Sequence, residues 1–482
     1  MTASEGNRMG SQVQRLAYNA LALVTGGVVA QLVFTLVEVL IARKLGADSY
    51  GVFVTAYSWT VLASTIMGHG MALWTVQEGS RNHDRIPALL GSSLVAGAAI
   101  FAVMYAALVA AVYWLEPNPV LAFLLVLLPY GLVLATQTNL GAAYSCCQTM
   151  QINAWFQALA PLAILVFCFA WARGELALED VGRAYVVGGG IVTAAWLALA
   201  FRRFRPTFSA RHALETAWSS NQYALTNLLG NVFYRTDVVM LSALAGVREA
   251  GIYAAAYKLV ELVLKFAVVA GRVFAPALFK ASHEPGKAYL VFASMMTRFL
   301  AVAGLAAGVA SFILAEELIR LLFGEGYAAS VPVLRILGGV MATRGMMVAL
   351  QLLLSSVDLH FRRVASLGVT VVANIVANAV LIPLLGAQGA AWAGLFSGAL
   401  LIVLYAVSCA GRQDFRFVQW LLVPSVMAIA IATAAPLLGM NAFVTAVLSL
   451  SVLAAGLLLT GFVRGDEIRF VLRSLLPAGT AR

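Results

Sequence analysis

The chain has 482 residues, of which 62% are hydrophobic and only 11% charged, and its mean hydropathy is +0.90. A soluble globular protein carries about 25% charged residues, so this composition excludes a water-soluble enzyme or binding module and requires a polytopic membrane protein. The formal charge of +10 would suit nucleic acid if it were gathered in a soluble domain, but no loop is long enough to hold one, and nucleic acid is excluded as a partner.

A helix crosses a bilayer with about 20 apolar residues at ~1.5 Å each. Stretches of that kind fall at about 17–40, 51–74, 87–114, 119–143, 152–172, 181–201, 217–244, 249–281, 290–315, 330–357, 364–384, 387–410, 417–437 and 441–463. The fold class expected is all-α, with about 14 transmembrane helices. The start, MTASEGNRMGSQVQR, lacks the apolar core and small-residue cleavage site of a secretory signal. Residues 1–16 are therefore expected as a polar tail, and the first apolar stretch as a retained helix.

Basic residues are distributed unevenly about these stretches. Arg8, Arg15, Arg81, Arg85, Arg202, Arg203, Arg205, Arg211, Arg362, Arg363 and most other loop cations fall on one side, and Arg43, Lys44, Arg173, Arg248 and Arg320 on the other. The positive-inside rule puts the richer side, and both termini with it, in the cytoplasm. Its strongest anchor is FRRFRP at 201–206, either a topology determinant or a site for anionic lipid headgroups.

The first two stretches contain FTLVEVLIARKLGADSYGVFVTAYSWTVLA, and a shift of 200 residues lays them on YRTDVVMLSALAGVREAGIYAAAYKLVEL. Gly46 meets Gly246, Gly51 meets Gly251, Ala56 meets Ala256, Tyr57 meets Tyr257, and Phe34 and Phe53 meet Tyr234 and Tyr253. Both copies start on the same side, so the repeat is parallel. Two pseudo-symmetric six-helix lobes, 17–201 and 217–410, are expected about an axis along the membrane normal with a substrate site between them. A basic loop, 202–216, joins them, 411–463 adds two helices, and 464–482 forms a cytoplasmic tail.

Charge is concentrated at 217–282, where each buried ion costs about 2.5–3.5 kcal/mol at a bilayer centre. Lys258, Glu261 and Lys265 lie at i, i+3 and i+7, with Arg272 two turns on, and Asn227, Asn231 and Arg235 follow at i, i+4 and i+8. Two polar stripes on apolar rods result. They serve either as internal ion pairs, such as Lys258 or Lys265 with Glu261 and Arg235 with Asp237, or as a cationic face for an anion. Arg183, Arg298, Arg335 and Arg344 also fall within apolar stretches. Arg344, near mid-depth in VMATRGMMVAL, either pairs with Glu261 or Asp237 or binds an anion.

Glu38, the lone buried acid of the first half, is either a proton or cation site or a neighbour of Arg43 and Lys44 at the interface. His69, between Gly68 and Gly70, is read as a packing residue. Asn139, Gln148, Gln151 and Asn153 cluster near one helix end, and Pro129 and Pro161 fall at mid-span, where bending is expected. Cys146, Cys147, Cys168 and Cys409 show no metal or disulfide spacing and are read as packing residues, with no metal site or cofactor expected. No phosphate loop ending in GK[ST], no HExxH and no GxSxG occurs.

The stretch YRTDVVMLSALAGVREAGIYAAAYKLVELV, 234–263, is similar to the signature of the seventh and eighth segments in the polysaccharide biosynthesis flippases. These belong to the multidrug, oligosaccharidyl-lipid and polysaccharide exporter superfamily. The acid of D-x-x-x-L falls on Asp237 and the pattern G-I-Y-x-A-A-Y on Gly251 to Tyr257; LGAQGAAWAGLFSG after Pro383 resembles the family's turn between segments 11 and 12. The resemblance extends over about 10–460. It implies two lobes around a central cavity that opens alternately to each side, and a polyprenyl-pyrophosphate-linked oligosaccharide as substrate, for O-antigen, capsule or exopolysaccharide. It implies no enzyme activity, a bacterial inner-membrane location, and membrane lipids, a polysaccharide polymerase and chain-length machinery as partners.

A pyrophosphate inside a membrane cavity needs cationic ligands, for which Arg235, Lys258, Lys265, Arg272, Arg298 and Arg344 are the candidates. Glu38, Asp237 and Glu261 are candidates for coupling to H+ or Na+, or for charge balance. Tyr57, Tyr253 and Tyr257 are candidate sugar contacts. A multidrug antiporter of the same superfamily would want an anionic cavity for organic cations. A lipid II flippase is a close sibling, and a membrane glycosyl polymerase would carry a large outer loop where the longest here is about Glu316 to Ser330.

Overall fold

The computed structural model describes residues 3–114, 118–147, 149–171, 176–282, 287–409 and 441–459. Every regular element among them is helical: α1 (Ala3–Gly68), α2 (Met71–Arg81), α3 (Ile86–Trp114), α4 (Pro119–Cys146), α5 (Met150–Trp171), α6 (Leu178–Phe204), α7 (Ala210–Leu244), α8 (Val247–Ser282), α9 (Lys287–Ile313), α10 (Ala315–Leu322), α11 (Ser330–Ser356), α12 (His360–Leu385), α13 (Ala387–Ser408) and α14 (Ala442–Leu459). Single 3-10 turns sit at His83–Arg85 and Glu325–Tyr327. The expected stretch 417–437 and the tail 464–482 lie outside the described residues.

Nine of the described helices are long and apolar enough to cross a membrane. α7 and α8, expected as spans over 217–244 and 249–281, run for 35 and 36 residues and are not among those nine. Pro129 and Pro161 lie inside the continuous helices α4 and α5.

The second expected stretch, 51–74, ends earlier than its hydropathy indicates. The helix stops at Gly68, because His69 (φ 39) and Gly70 (φ 66) take left-handed backbone that interrupts the helical hydrogen bonds, and α2 begins at Met71. His69 is thus part of a helix break. The region between 316 and 330, read as loop, carries the amphipathic α10, which buries Ala315 and Ile319 and exposes Glu316, Glu317 and Leu321.

The repeat is visible in the backbone. Gly46 (φ 72) breaks α1 into two parts, and Gly246 (φ 97) separates α7 from α8. Both equivalent sites occupy the left-handed region that favours glycine.

By compactness the chain divides into two units, Met1–Ala255 with Asn378–Ala387, and Ala256–Ala377 with Gln388–Arg482. In the first, α1 packs on α4 and α5, these pack on α6, and α7 lies against α1, α2 and α3. An aromatic core of Tyr50, Phe53, Tyr57, Tyr130 and Tyr185 fills this unit, with ring centroids 5.1 to 6.4 Å apart among neighbours. In the second, α9 packs closely along α11 and α14 packs on α9. Small residues at the α9–α11 contact let the backbones approach, as is usual where helices associate in lipid.

Candidate functional site

In the first unit, the stripe Asn227, Asn231 and Arg235 on α7 lines a cavity of about 380 Å³. This is within the range of about 300–1,000 Å³ usual for small-molecule sites. Tyr57, Ser64 and Thr65 of α1 and Thr138 of α4 line it too. The Arg235 guanidinium carbon stands 5.4 Å from the centroid of the Tyr57 ring, a cation–π contact worth about 2 kcal/mol when desolvated. Tyr57 is held in turn by the aromatic core, packing on Phe53, Tyr130 and Tyr185.

The hydroxyls around this cavity have a fixed polarity. Ser64 and Thr65 donate to the Val61 carbonyl at 2.7 and 2.9 Å, and Thr138 to that of Leu134 at 2.8 Å. With their hydrogens turned to the helix backbone, their oxygens remain acceptors for a hydroxyl donor in the cavity. Asn231 donates to the Asn227 carbonyl at 3.1 Å, which leaves its amide oxygen as a further acceptor. Among the described lining residues there is no carboxylate. The described wall therefore offers several acceptors and a cation, Arg235, packed over the Tyr57 ring.

The candidate acids Glu38 and Asp237 are not among the described residues that line the cavity. Glu38 is 1% exposed, within electrostatic reach of Tyr130 and Tyr185. Asp237, 4% exposed, accepts from the Tyr253 hydroxyl at 2.8 Å and from the Asn378 amide at 2.7 Å. A buried carboxylate needs such donors to offset its lost hydration. Tyr253 is thus a ligand of Asp237.

In the second unit, Arg344 is 3% exposed and donates to the Tyr257 hydroxyl at 3.0 Å, with Met347 sulfur at 3.7 Å from its other terminal nitrogen. Lys258 pairs with Glu261 at 2.9 Å, side chains 5% and 17% exposed, which is the internal-pair arrangement for these two. Lys265 is exposed two turns further on, and Arg298 is half-buried on α9. Arg272 lies on α8, and its side chain is outside the described residues. Tyr57 and Tyr257, equivalent in the repeat, each engage an arginine, through the ring face in one case and the hydroxyl in the other.

Asn378 was not legible as an Asp237 ligand. A signal existed, since Asn374 and Asn378 stand at i and i+4 in an otherwise apolar helix, and both are buried, at 1% and 0%; Asn374 donates to Ser397 at 3.1 Å. The acceptors Ser64, Thr65 and Thr138 carried no such signal, because single hydroxyls are common in apolar helices. Arg183, read as lying within a span, pairs with Glu179 and Asp180 in the first turns of α6 and is 59% exposed.

The family model described as "Polysaccharide biosynthesis protein" matches residues 16–282. The teichuronic acid biosynthesis protein TuaB of Bacillus subtilis (strain 168) is 23% identical over 299 residues, which is 60% of each chain. The match thus spans less than two thirds of that relative's length. Among solved structures, lipid II flippase MurJ in an inward closed conformation superposes with a TM-score of 0.70 at 11% identity, over 94% of this chain and 100% of that one. An inward-facing multidrug resistance MATE family transporter of the MOP superfamily gives 0.62 at 13% identity, over 80% and 96%.

Proposed function

The chain belongs to the polysaccharide biosynthesis protein family and has the fold of the MurJ- and MATE-type transporters, and from that premise we propose that it flips a polyprenyl-pyrophosphate-linked oligosaccharide across the membrane. The movement is from the cytoplasmic to the periplasmic leaflet by alternating access, in supply of a surface polysaccharide. The site of action is the bacterial inner membrane, with both termini cytoplasmic, and a polysaccharide polymerase with its chain-length machinery takes the product.

The observation that carries the reading is the character of the cavity beneath Arg235. A pyrophosphate requires a cation, and a guanidinium offers it two parallel hydrogen bonds. Sugar hydroxyls require acceptors, which Ser64, Thr65, Thr138 and Asn231 provide. An organic cation would meet the like charge of Arg235 here, which disfavours drug export. The polyprenyl chain needs no cavity, since it remains in the bilayer during the headgroup's passage. Asp237, Glu38 and Glu261 balance charge or couple the cycle to H+ or Na+.

The test is a strain lacking the protein. The reading expects surface polysaccharide to disappear while polyprenyl-linked repeat units accumulate on the cytoplasmic leaflet. Unchanged polysaccharide with new sensitivity to cationic dyes would overturn it, and loss of viability through arrested peptidoglycan would favour lipid II as cargo.

A further inference from the structure

The end of α6 carries a cation cluster that the cavity does not use. The helix terminates at Phe204, and Arg205 follows in left-handed backbone (φ 48, ψ 63), its N–H bonded to the Phe201 carbonyl at 3.1 Å. Two residues on, the Thr207 N–H donates to the Pro87 carbonyl at 3.1 Å, which fastens this connection to the first turn of α3. The segment is a fixed platform.

Arg202, Arg203 and Arg205 are all exposed on it. The Arg203 guanidinium carbon is 5.5 Å from the ring centroids of both Tyr144 and Phe204, so its plane is held by aromatic faces. None of the three arginines pairs with a carboxylate among the described residues. Glu78 and Glu215 pair instead with Arg85, at 2.5 and 3.3 Å. Beside the arginines, Phe201 and Phe208 are 53% and 56% exposed.

Two of these features have an ordinary explanation. Arginines in the last turn offset the negative end of a helix dipole, and cations at helix ends set topology. Helix-dipole compensation does not account for Arg205, which lies past the helix in a backbone conformation costly for a side-chain-bearing residue. Neither accounts for the two apolar rings at the same level.

We propose that Arg202, Arg203 and Arg205 bind the phosphate of an anionic glycerophospholipid in the surrounding leaflet, with Phe201 and Phe208 set among its acyl chains. Guanidinium forks are matched to phosphate oxygens, and aromatic rings favour the headgroup boundary. Anionic headgroups attract basic clusters by about 1 kcal/mol per charge, and a platform of fixed shape adds selectivity to that attraction. The occupant is a bulk membrane lipid, because these residues are distinct from those lining the cavity under Arg235. The site does not depend on which cargo the protein carries.

The experiment is lipid retention by the full-length purified protein after detergent washing, from membranes doped with phosphatidylglycerol in phosphatidylcholine, read by native mass spectrometry. Wild type is expected to retain phosphatidylglycerol over phosphatidylcholine, Arg205→Gln to lose several-fold of that preference, and R202Q/R203Q/R205Q to lose tenfold or more. The triple Arg→Lys variant keeps the charge and the topology but not the paired hydrogen bonds, and is expected to fall between. F201A/F208A, which alters no charge, is expected to weaken retention with an unchanged headgroup preference. Equal retention by wild type, Arg205→Gln and the triple Gln variant would overturn the proposal. So would retention of a polyprenyl diphosphate alone with no phosphatidylglycerol.

Discussion

Asp48 and Arg248 hold equivalent positions in the two repeats and pair with each other at 3.1 Å. The contact around them is self-complementary: a Cβ on Gly51 would fall on the Val247 carbonyl, and a Cβ on Gly251 on that of Ala47, which is the repeat equivalent of Val247. The contact is thus reciprocal between equivalent positions of the two repeats. Gly51→Val is expected to destabilise the protein by about 1–3 kcal/mol through overpacking. Asp48→Asn should cost less than about 1 kcal/mol, because its pair is exposed. Thermal unfolding of both variants in one detergent checks the order, and an equal effect would show that the glycine contact is not tight.

Arg344 and Tyr257 should couple energetically. A hydrogen bond to a charged group is worth about 1.5–3 kcal/mol, so Tyr257→Phe is expected to lower stability by that amount. In an Arg344→Met background the same change should cost little, and the cycle should return a coupling of ~1 kcal/mol or more. Additive effects would mean that the hydroxyl and the guanidinium act independently.

Lys258 and Glu261 test whether an embedded pair is structural. Glu261→Gln is expected to destabilise by up to about 3–5 kcal/mol, since it breaks a buried pair on one side only. Lys258→Met with Glu261→Leu should regain most of that loss and retain transport, because apolar residues replace such a pair at little cost. Loss of transport in a stable double variant would assign the pair to ion coupling instead of charge balance.

Much of the architecture was legible because lipid imposes simple rules. Apolar length located the helices, and Gly46 and Gly246 announced the repeat because left-handed backbone leaves few other choices of residue. What hydropathy could not see was the break at His69–Gly70, where apolar sequence continues on both sides of a left-handed turn, or α10, too short to resemble a span. In the site, the stripe Asn227–Asn231–Arg235 was readable from helical spacing alone. Its partner Tyr57 was readable only as a candidate, because ring contacts between distant helices leave no periodic trace. Asp237 drew attention as a buried acid, whereas its donors Tyr253 and Asn378 are set by packing. For Lys258 and Glu261 the i, i+3 spacing suggested the pair and the geometry realises it, but for Arg344 the sequence offered a carboxylate or a bound anion and gave no sign of the Tyr257 hydroxyl.

The most direct test of the account is the affinity of the purified protein for a short-chain polyprenyl-pyrophosphate-linked sugar, in wild type, Arg235→Lys and Arg235→Ala. If Arg235 holds the headgroup, Arg235→Ala should weaken binding by tenfold or more, in line with about 1.5–3 kcal/mol for a charged hydrogen bond, in protein that remains folded. Arg235→Lys should lie between, since an ammonium keeps the charge without the paired geometry. Unchanged affinity in a folded Arg235→Ala protein would contradict the central claim and reduce the arginine to a brace against Tyr57.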